Sequence, residues 1–258
     1  MKGIFVKMIE NNAALKTLAQ AKQLLMRDAQ KNAYALLRIR QNAVTECAVF
    51  ETAVRLLDGE SNKYLYAFDT MEQFDVLYKQ VALREGSLVS FSPDVRFESA
   101  LRAYDSRFLV TAYVQLCTAP RPRQIEDESL LPDISIGEVS KDMAQWMLSV
   151  YEHPEMSDAF IRRRIASAPN AAAFYKGRPI AFFITHSEAE MGPVYIDPDF
   201  RGHGISTALY NHVLHQFSVQ GLEPPIAFVH PENSASLGWL ARMGCTPSRE
   251  QILWFWRE

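Results

Sequence analysis

The chain has 258 residues, of which 48% are hydrophobic and 22% are charged, with a formal net charge of −3 and a pI near 6.1. This balance is typical of a soluble globular protein with room for one large domain or two of ordinary size. No broad basic field indicates a nucleic-acid partner, and no polybasic run indicates an anionic membrane surface. We therefore expect neither partner.

The apolar runs and the cysteines favour a cytoplasmic protein. The run Met1–Lys7 is too short in apolar length for a signal peptide, and no run of roughly 18 apolar residues predicts a membrane-spanning helix. Cys47, Cys117 and Cys245 lie far apart, in an odd number and without paired spacing. This pattern favours reduced thiols over a disulfide framework or a zinc site.

The first half of the chain mixes helix and strand patterns. Apolar residues recur at helical spacing from about Met8 to Gln41, with a break near Lys31 and Asn32. The run Ser92-Pro93-Asp94 predicts a helix start, because Ser can cap the first amides and Pro suits the first helical position. Strands are predicted at Ala48–Leu57, Tyr64–Phe68, Ser87–Phe91 and Arg107–Leu116, and a helix at Met71–Leu83.

A proline-bearing segment, Thr118–Asp133, predicts an exposed connection, because its prolines remove backbone donors and fix φ. We place a domain boundary near residue 130. This gives a smaller αβ domain over residues 1–130 and a second domain over residues 131–258. In the second domain strands are predicted at 133–138, 171–175, 179–185, 191–196, 226–229 and 251–256, and helices at 141–151, 157–168, 202–220 and 233–243.

The segment with the clearest chemistry follows the predicted strand 191–196. Asp197-Pro198-Asp199-Phe200 leads into Arg201-Gly202-His203-Gly204 and then into a helix. A glycine-bearing loop at a helix start exposes backbone N–H groups at the positive end of the helix dipole, which suits a pyrophosphate. The spacing matches neither the three-glycine dinucleotide fingerprint nor the P-loop. The residues alone leave two interpretations, a phosphate site and an ordinary turn.

The same segment resembles the acyl-CoA loop of the GNAT N-acetyltransferase superfamily. In that loop an Arg-Gly-x-Gly run follows a strand and precedes a helix, with a leucine on the helix; Arg201, Gly202, Gly204, Ile205 and Leu209 fill these places. Ser206 stands where the family has Gly or Ala. The resemblance implies an α/β (α+β) fold with a mixed, mostly antiparallel sheet flanked by helices.

The resemblance also implies acetyl-CoA or another acyl-CoA as co-substrate, without a metal. Acyl-CoA is expected where two neighbouring parallel strands splay, near Ile196 and Val229. The cofactor-binding residues that it implies are Tyr195, Ile196, Arg201, Gly202, His203, Gly204, Ile205, Ser206, Thr207, Asn233 and Ser236.

A narrower similarity links the chain to glycine N-acyltransferase-like enzymes, which also place an αβ domain before the GNAT domain. This similarity rests on two segments, Met156–Ala168 before a strand and Glu190-Met191 ahead of the Arg-Gly loop. These enzymes have a glutamate, proposed as general base, at the place of Glu190. We therefore predict Glu190 as the catalytic base, with Glu188 as the fallback and a solvated turn acid as the alternative.

Two further roles follow from the resemblance. The oxyanion is expected to bind the backbone N–H of Ile196 or its neighbour. The family's usual acid, a tyrosine, is replaced at the matching position by Leu240, next to Trp239. Tyr210, His230 or water are the possible substitutes, although a structural role is the alternative for both side chains.

The predicted function is transfer of an acetyl or other short acyl group from acyl-CoA to a primary amine of a small molecule or peptide, by direct attack on the thioester. The alternatives are a catalytically weak CoA-binding module and a structural or interaction protein in which the cradle is empty. The first domain is expected to close over the acceptor side. Three further patterns, His212 with His215, Arg162-Arg163-Arg164 and Trp254-Phe255-Trp256, favour structural or solvated roles over a metal, phosphate or stacking site.

Overall fold

A computed structural model of the protein describes residues 12–81, 90–92, 94–118, 130–152 and 156–257. The predicted strand at Ser87–Phe91 and the connection at Thr118–Asp133 fall partly outside these ranges. Among the described residues no helix combines the length and apolar character needed to cross a bilayer.

The first half begins with two helices and continues with strands and further helices. In chain order these are α1 (Asn12–Leu25), α2 (Ala33–Arg40), β1 (Val44–Phe50), β2 (Ala53–Asp58), β3 (Lys63–Ala67), α3 (Met71–Lys79), β4 (Ser90–Ser92), α4 (Glu98–Tyr104) and β5 (Phe108–Cys117). The second half continues with β6 (Ile134–Gly137), α5 (Ala144–Val150), α6 (Asp158–Ser167), β7 (Ala171–Tyr175), β8 (Arg178–Thr185), β9 (Met191–Ile196), α7 (Ile205–Val219), β10 (Ile226–Val229), α8 (Ser234–Arg242), β11 (Thr246–Pro247) and β12 (Ile252–Arg257).

The strands form two sheets. The first has the order β1-β2-β3-β4-β12-β5-β10, with β11 paired to β5, and the second has the order β6-β7-β8-β9. β12 is antiparallel to both of its neighbours, and the second sheet is antiparallel throughout. The predicted fold class, a mixed and mostly antiparallel sheet with flanking helices behind a smaller αβ region, is confirmed.

The chain divides into two compact units. The first comprises residues 1–115, 228–237 and 247–258, and the second comprises residues 116–227 and 238–246. The first unit thus includes the C-terminal strand β12. The predicted boundary near residue 130 stays a prediction, although a cut there would remove β12 from the sheet in which it pairs with β4 and β5.

The two halves repeat one order of elements. Two helices are followed by three antiparallel strands, a helix, a strand, a helix and a strand, first from α1 to β5 and again from α5 to β11. In both halves the third strand pairs in parallel with the strand after the helix, as Tyr64↔Ser90 in the first and as the bridge Glu190↔Ile226 in the second. Sequence inspection shows no repeat, because the two copies share a pattern of elements and not a run of residues.

Each unit has its own apolar core. In the first, Phe74 on α3 is fully buried against Tyr66 of β3 and Phe255 of β12. In the second, Phe182 of β8 is fully buried among residues of α5 and α6. Burial of one such side chain stabilises the fold by ~1.5–3 kcal/mol, so these rings fix the helices against the sheets.

Two local predictions in the first half are wrong in detail. The long N-terminal helix is interrupted from Met26 to Asn32, a wider break than predicted. The predicted strand Ala48–Leu57 is a hairpin, because Glu51 adopts a φ of 53° and turns the chain between β1 and β2. The short 3-10 helix Val95–Phe97 is capped by Asp94, whose carboxylate accepts the Arg96 N–H at 3.1 Å; the predicted cap by the Ser92 side chain lies outside what the structure describes.

Candidate acyl-CoA site

The strand before the Arg-Gly loop, β9, lies at the edge of the second sheet. Ile196 stands opposite Ala181 of β8, and the next residue, Asp197, donates its N–H to the Ile180 carbonyl at 2.8 Å. Hydrogen-bonded and non-hydrogen-bonded pairs alternate along an antiparallel ladder. Ile196 is therefore in a non-hydrogen-bonded pair, and its N–H and carbonyl point away from β8, toward the outer edge of the strand.

The loop after β9 folds back onto this edge. Arg201 Nε donates to the Ile196 carbonyl at 3.2 Å. The Asp197 carboxylate caps the short 3-10 helix Pro198–Phe200 by accepting the Asp199 N–H at 3.1 Å. These two bonds fix the path of the chain from the strand end to the two glycines.

The two glycines shape the start of α7. Gly202 and Gly204 have φ of +84° and +71°, in the left-handed region that side chains disfavour. A Cβ on Gly202 would meet no atom within 4 Å, so that side of the loop is open. Gly204 caps α7 without a side-chain hydrogen bond, and the first turn of this fully described helix carries no acidic residue. The amides of Ile205, Ser206 and Thr207 therefore form a cradle at the positive end of a 15-residue helix.

The corresponding turn in the first half is built differently. Before α3, the Thr70 hydroxyl accepts the Gln73 N–H at 3.3 Å, and Gln73 Oε1 accepts the Asp69 N–H at 2.9 Å. Glu72 adds an acidic side chain in the first turn. A side-chain cap and a negative charge there disfavour an anion. Of the two repeated turns, the one before α7 suits a phosphate.

The beginning of β9 carries the predicted base. Glu190 is 2% exposed and forms a parallel bridge to Ile226 at the start of β10. Its carbonyl accepts the His186 N–H at 3.0 Å, so the residue closes the turn between β8 and β9. Glu188, the fallback, is half-buried in the same turn. Because Glu190 is buried, the alternative of a solvated acid in the turn does not describe it. Its role as general base stays a prediction.

A bulge separates this base from Ile196. Thr185 stands opposite Met191 and Phe183 opposite Val194, so two residues, Gly192 and Pro193, face one residue of β8. Gly192 has a φ of +101° and the Gly192–Pro193 peptide is cis. A bulge bends its strand and redirects the groups on either side of it.

Several predicted cofactor residues have buried or half-buried side chains. The Tyr195 ring stacks on Phe182 with centroids 5.8 Å apart, and Ile205 is 1% exposed in the core. The side chains of His203, Ser206 and Thr207 are half-buried beside the loop glycines. Because the Ile205 side chain is buried, this residue can contact a ligand only through its backbone. The side chains of His203, Ser206 and Thr207 are exposed enough to contact one directly.

The second predicted element begins at α8. Asn233 Oδ1 accepts the Ser236 N–H at 3.0 Å, so Asn233 is the N-cap of this helix. Asn233 is exposed, and its Nδ2 group has no partner among the described residues. One end of the amide is thus fixed by the cap while the donor end is available to a ligand. Contact of Asn233 and Ser236 with the pantetheine arm stays a prediction.

Of the two side chains predicted as possible general acids, Tyr210 is buried and His230 is exposed. Leu240 is 2% exposed. The Tyr210 hydroxyl lies 3.2 Å from Cys245 Sγ, and burial raises the pKa of this tyrosine well above its usual range. His230 is exposed, and its Nδ1 accepts the Glu232 N–H. Tyr210 is therefore a structural residue whose proton is hard to remove.

Of the sequence patterns outside the loop, the arginine run differs from its predicted solvated role. Arg164 is 5% exposed, although the Arg162–Arg164 run reads as a solvated face; its Nε and Nη2 donate to the carbonyl and the hydroxyl of Thr185, both at 2.8 Å. His215 is exposed and His212 is half-buried on α7. Among the described residues no three His, Cys, Asp or Glu side chains gather as a metal site.

The sequence analysis does not single out His186 and Thr185 at the turn before β9, and it assigns Arg164 to a solvated face, whereas Arg164 is 5% exposed. Glu190 belongs to a family pattern, and these three residues lie outside that pattern. The sequence does contain one signal for His186. It lies four residues before Glu190, and a hairpin with a turn of this length places two such residues opposite each other.

Comparison with known proteins agrees with this geometry. Residues 138–245 match the model of the Acetyltransferase (GNAT) family. No curated protein matches the sequence at a significant level. Solved structures match the fold over nearly the whole chain, at low sequence identity.

Three of these structures illustrate the likeness. A Drosophila melanogaster protein is 11% identical, with coverage of 94% of this chain and 96% of its own and a TM-score of 0.64. A GCN5-related N-acetyltransferase-like protein from Streptococcus suis is 12% identical, with 92% and 100% coverage and a TM-score of 0.56. A tandem GNAT protein of the clavulanic acid biosynthesis pathway is 11% identical, with 95% coverage of both chains and a TM-score of 0.52.

These identities establish the fold alone, while the family match covers the segment that holds β9, the Arg-Gly loop and α7. The predicted resemblance to the GNAT superfamily is confirmed. The narrower similarity to glycine N-acyltransferase-like enzymes stays a prediction. The match to the acetyltransferase (GNAT) family therefore covers residues 138–245 of this chain.

Proposed function

We propose that the protein transfers an acetyl or other short acyl group from acyl-CoA to a primary amine of a small molecule or peptide. The observation that carries the proposal is the uncapped N-terminus of α7, joined by the glycine loop to the outward-facing backbone of Ile196. A pyrophosphate and a thioester are the two ends of CoA that such a loop and strand edge would bind.

The cradle favours the pyrophosphate on electrostatic grounds. Amides at the start of α7 have no intrahelical partner, and the helix dipole adds partial positive charge. Arg201 is exposed and adds a guanidinium to the loop that leads into these amides. Hydrogen bonds from charged donors to phosphate oxygens are about twice as strong as neutral ones.

The strand edge would hold the thioester. The Ile196 N–H points away from β8 and is a donor for the oxygen on which charge develops during attack. The amine must be neutral to attack, and Glu190, at the other end of the same strand, is the proposed acceptor of its proton. The bulge at Gly192 and Pro193 lies between the two groups on β9.

The thiolate leaving group needs little stabilisation from the protein. A thiol has an ordinary pKa of about 8.5, so the thiolate departs without a dedicated acid. Leu240 in the place of the family's tyrosine is thus compatible with turnover. It is also the observation that favours the second candidate function, a CoA-binding module with little or no activity.

The first 130 residues are proposed to shape acceptor selectivity. Removing them is an unsuitable test, because the first unit also contains residues 247–258. Acceptor profiles of full-length chains that carry point substitutions in the first unit are the suitable measurement. An unchanged profile for every such variant would refute this role.

Thermal-shift titration with acetyl-CoA and longer acyl-CoAs tests the coenzyme site. A ligand that binds only the folded state stabilises it by ~2.7 kcal/mol at 100 times its Kd. Ser206→Glu places a negative charge in the cradle, where the helix dipole tolerates it, and is expected to abolish the shift. Ala159→Glu adds the same charge to the first turn of α6 and should leave the shift intact.

The outcomes separate the candidates. A shift in the wild type and in Ala159→Glu, but not in Ser206→Glu, supports the coenzyme site. Release of CoA thiol with a panel of amino acids, polyamines and lysine peptides then supports the transferase, whereas binding without release supports the CoA-binding module. No shift with any acyl-CoA would remove both candidates.

A further inference from the structure

The turn between β8 and β9 brings two titratable residues together. His186 donates its N–H to the Glu190 carbonyl at 3.0 Å, next to the ladder pair of Thr185 and Met191. The two residues are therefore directly opposite each other at the end of a hairpin. Side chains of directly opposite residues share one face, with Cβ atoms about 4.5–5.5 Å apart.

The turn is held from several sides. Ser187 Oγ accepts the Ala189 N–H at 3.2 Å, and the Ala189 carbonyl accepts the Ile226 N–H at 2.7 Å. Arg164 of α6 binds the carbonyl and hydroxyl of Thr185. Thr185 is fully buried and Ser187 is 2% exposed. A turn with this many internal bonds fixes the relative positions of the side chains that it carries.

The His186 ring lies over the bulge of β9. A Cβ placed on Gly192 would be 3.9 Å from its Nε2 and Cδ2. On the other side, the Phe160 ring of α6 has its centroid 6.0 Å from the imidazole. His186 is half-buried, whereas Glu190 is 2% exposed. The imidazole thus lies beside the strand that is proposed to hold the thioester; its Nδ1 is buried, so Nε2 is the ring nitrogen left to exchange a proton with solvent.

We propose that His186 is the proton relay of Glu190 in the acyl transfer, an inference that rests on the proposed function. The substrate ammonium gives one proton to the Glu190 carboxylate and becomes the neutral amine. The resulting carboxylic acid passes that proton to the His186 imidazole, and the imidazolium releases it to solvent. The amine nitrogen then forms its bond to the thioester carbon, the C–S bond breaks, and the departing thiolate takes the second nitrogen proton, so that the products are the amide and the CoA thiol.

The physical reason for a relay is the burial of Glu190. A proton accepted by a buried carboxylate needs a route out before the next turnover. An unperturbed imidazole titrates near pH 6.5, between an ordinary carboxyl and an amine, so it can both take and release the proton near neutral pH. The charged residues of the turn are Glu188 and Glu190, and those of α6 are Asp158, Arg162, Arg163 and Arg164.

The test compares His186→Gln with His215→Gln, a substitution of an exposed histidine on α7. Turnover is followed by release of CoA thiol from acetyl-CoA with the amine panel, and coenzyme binding by thermal shift. His186→Gln is expected to lower kcat at least 30-fold and to flatten its dependence on pH between 5 and 8, with the acyl-CoA shift unchanged. General acid–base groups typically contribute 10²–10⁴-fold.

Chemical rescue separates a relay from a structural role. Added imidazole is expected to restore turnover of His186→Ala at least fivefold and to leave Glu190→Gln inactive. A kcat for His186→Gln within twofold of His215→Gln, or a failure of imidazole to rescue a folded His186→Ala, would overturn the relay while leaving the proposed function intact. A wild type that neither binds acyl-CoA nor releases thiol would overturn both.

Discussion

Arg201 Nε donates to the carbonyl of Ile196 at 3.2 Å, so the side chain that begins the Arg-Gly loop closes that loop onto the last residue of β9. This bond links the two parts of the proposed coenzyme site. Ile196 presents its backbone along the strand edge, and Arg201 stands next to the glycine turn that leads into α7.

Arg201→Ala should therefore weaken acyl-CoA binding more than it weakens the fold. The side chain is exposed, so the free energy of unfolding should change by less than about 0.5 kcal/mol. Loss of a charged hydrogen-bond donor costs ~1.5–3 kcal/mol, which raises the Kd for acyl-CoA on the order of tenfold or more. Isothermal titration measures the Kd. Arg162→Ala, which removes an equal charge from α6, should bind as the wild type does; equal loss in both variants would contradict a specific role.

Gly202→Ala and Gly221→Ala form a matched pair. Both glycines have positive φ, +84° and +67°, and at both a Cβ would meet nothing within 4 Å. Each substitution should destabilise the fold by ~1–2 kcal/mol through backbone strain alone. Only Gly202→Ala should also raise the Kd for acyl-CoA, since its Cβ enters the open side of the loop. Urea unfolding and titration together check this, and a similar Kd for the two variants would count against the cradle.

The elements of the second half could be predicted closely from the sequence. β7, β9 and β10 have the predicted bounds, because short apolar runs there are separated by clear turn residues. The hairpin at Glu51 was missed, since glutamate is not a residue that signals a positive φ. The return of β12 to the first sheet has no local signal at all: a strand's partners are set by tertiary packing, and Trp254-Phe255-Trp256 would suit either sheet.

In the candidate site, residues that belong to a short sequence motif can be predicted from the sequence. Residues that reach the site only through tertiary contacts cannot. Gly202 and Gly204 are recognisable from a loop pattern. The burial of Arg164 is not, because three consecutive arginines on a helix point in three directions and only the structure shows which one faces Thr185.

Tyr210→Phe should leave kcat unchanged. Burial raises the pKa of Tyr210, so its hydroxyl is a weaker acid than the thiol that would need its proton. The substitution removes the contact between the hydroxyl and Cys245 Sγ, which should cost about 1 kcal/mol of the free energy of unfolding. Steady-state kinetics and urea unfolding of the variant check both statements. A kcat reduced tenfold or more would restore Tyr210 as the general acid.

The lowered pKa of Asp94 predicts how the stability of the first unit depends on pH. Burial alone would raise the pKa of this carboxyl, but hydrogen bonds from Arg96 and Lys31 outweigh it and lower the pKa to about 2. A carboxyl with a lowered pKa in the folded state adds stability above its unfolded pKa and loses it as pH falls toward the folded one. The contribution should be present in full above about pH 5 and disappear between about pH 4 and pH 2.

Asp94→Asn tests this contribution directly. The variant should lose about 2 kcal/mol of unfolding free energy at pH 7, because the ion pair with Lys31 at 3.1 Å and the cap on Arg96 N–H are both weakened. The difference from the wild type should shrink as pH is lowered from 4 to 2, since the wild-type carboxylate is then being protonated. Urea unfolding at pH 7, 4 and 3 measures it, with Asp142→Asn as the exposed control. A difference that stays constant over this range would show that the carboxylate charge is not what Asp94 contributes.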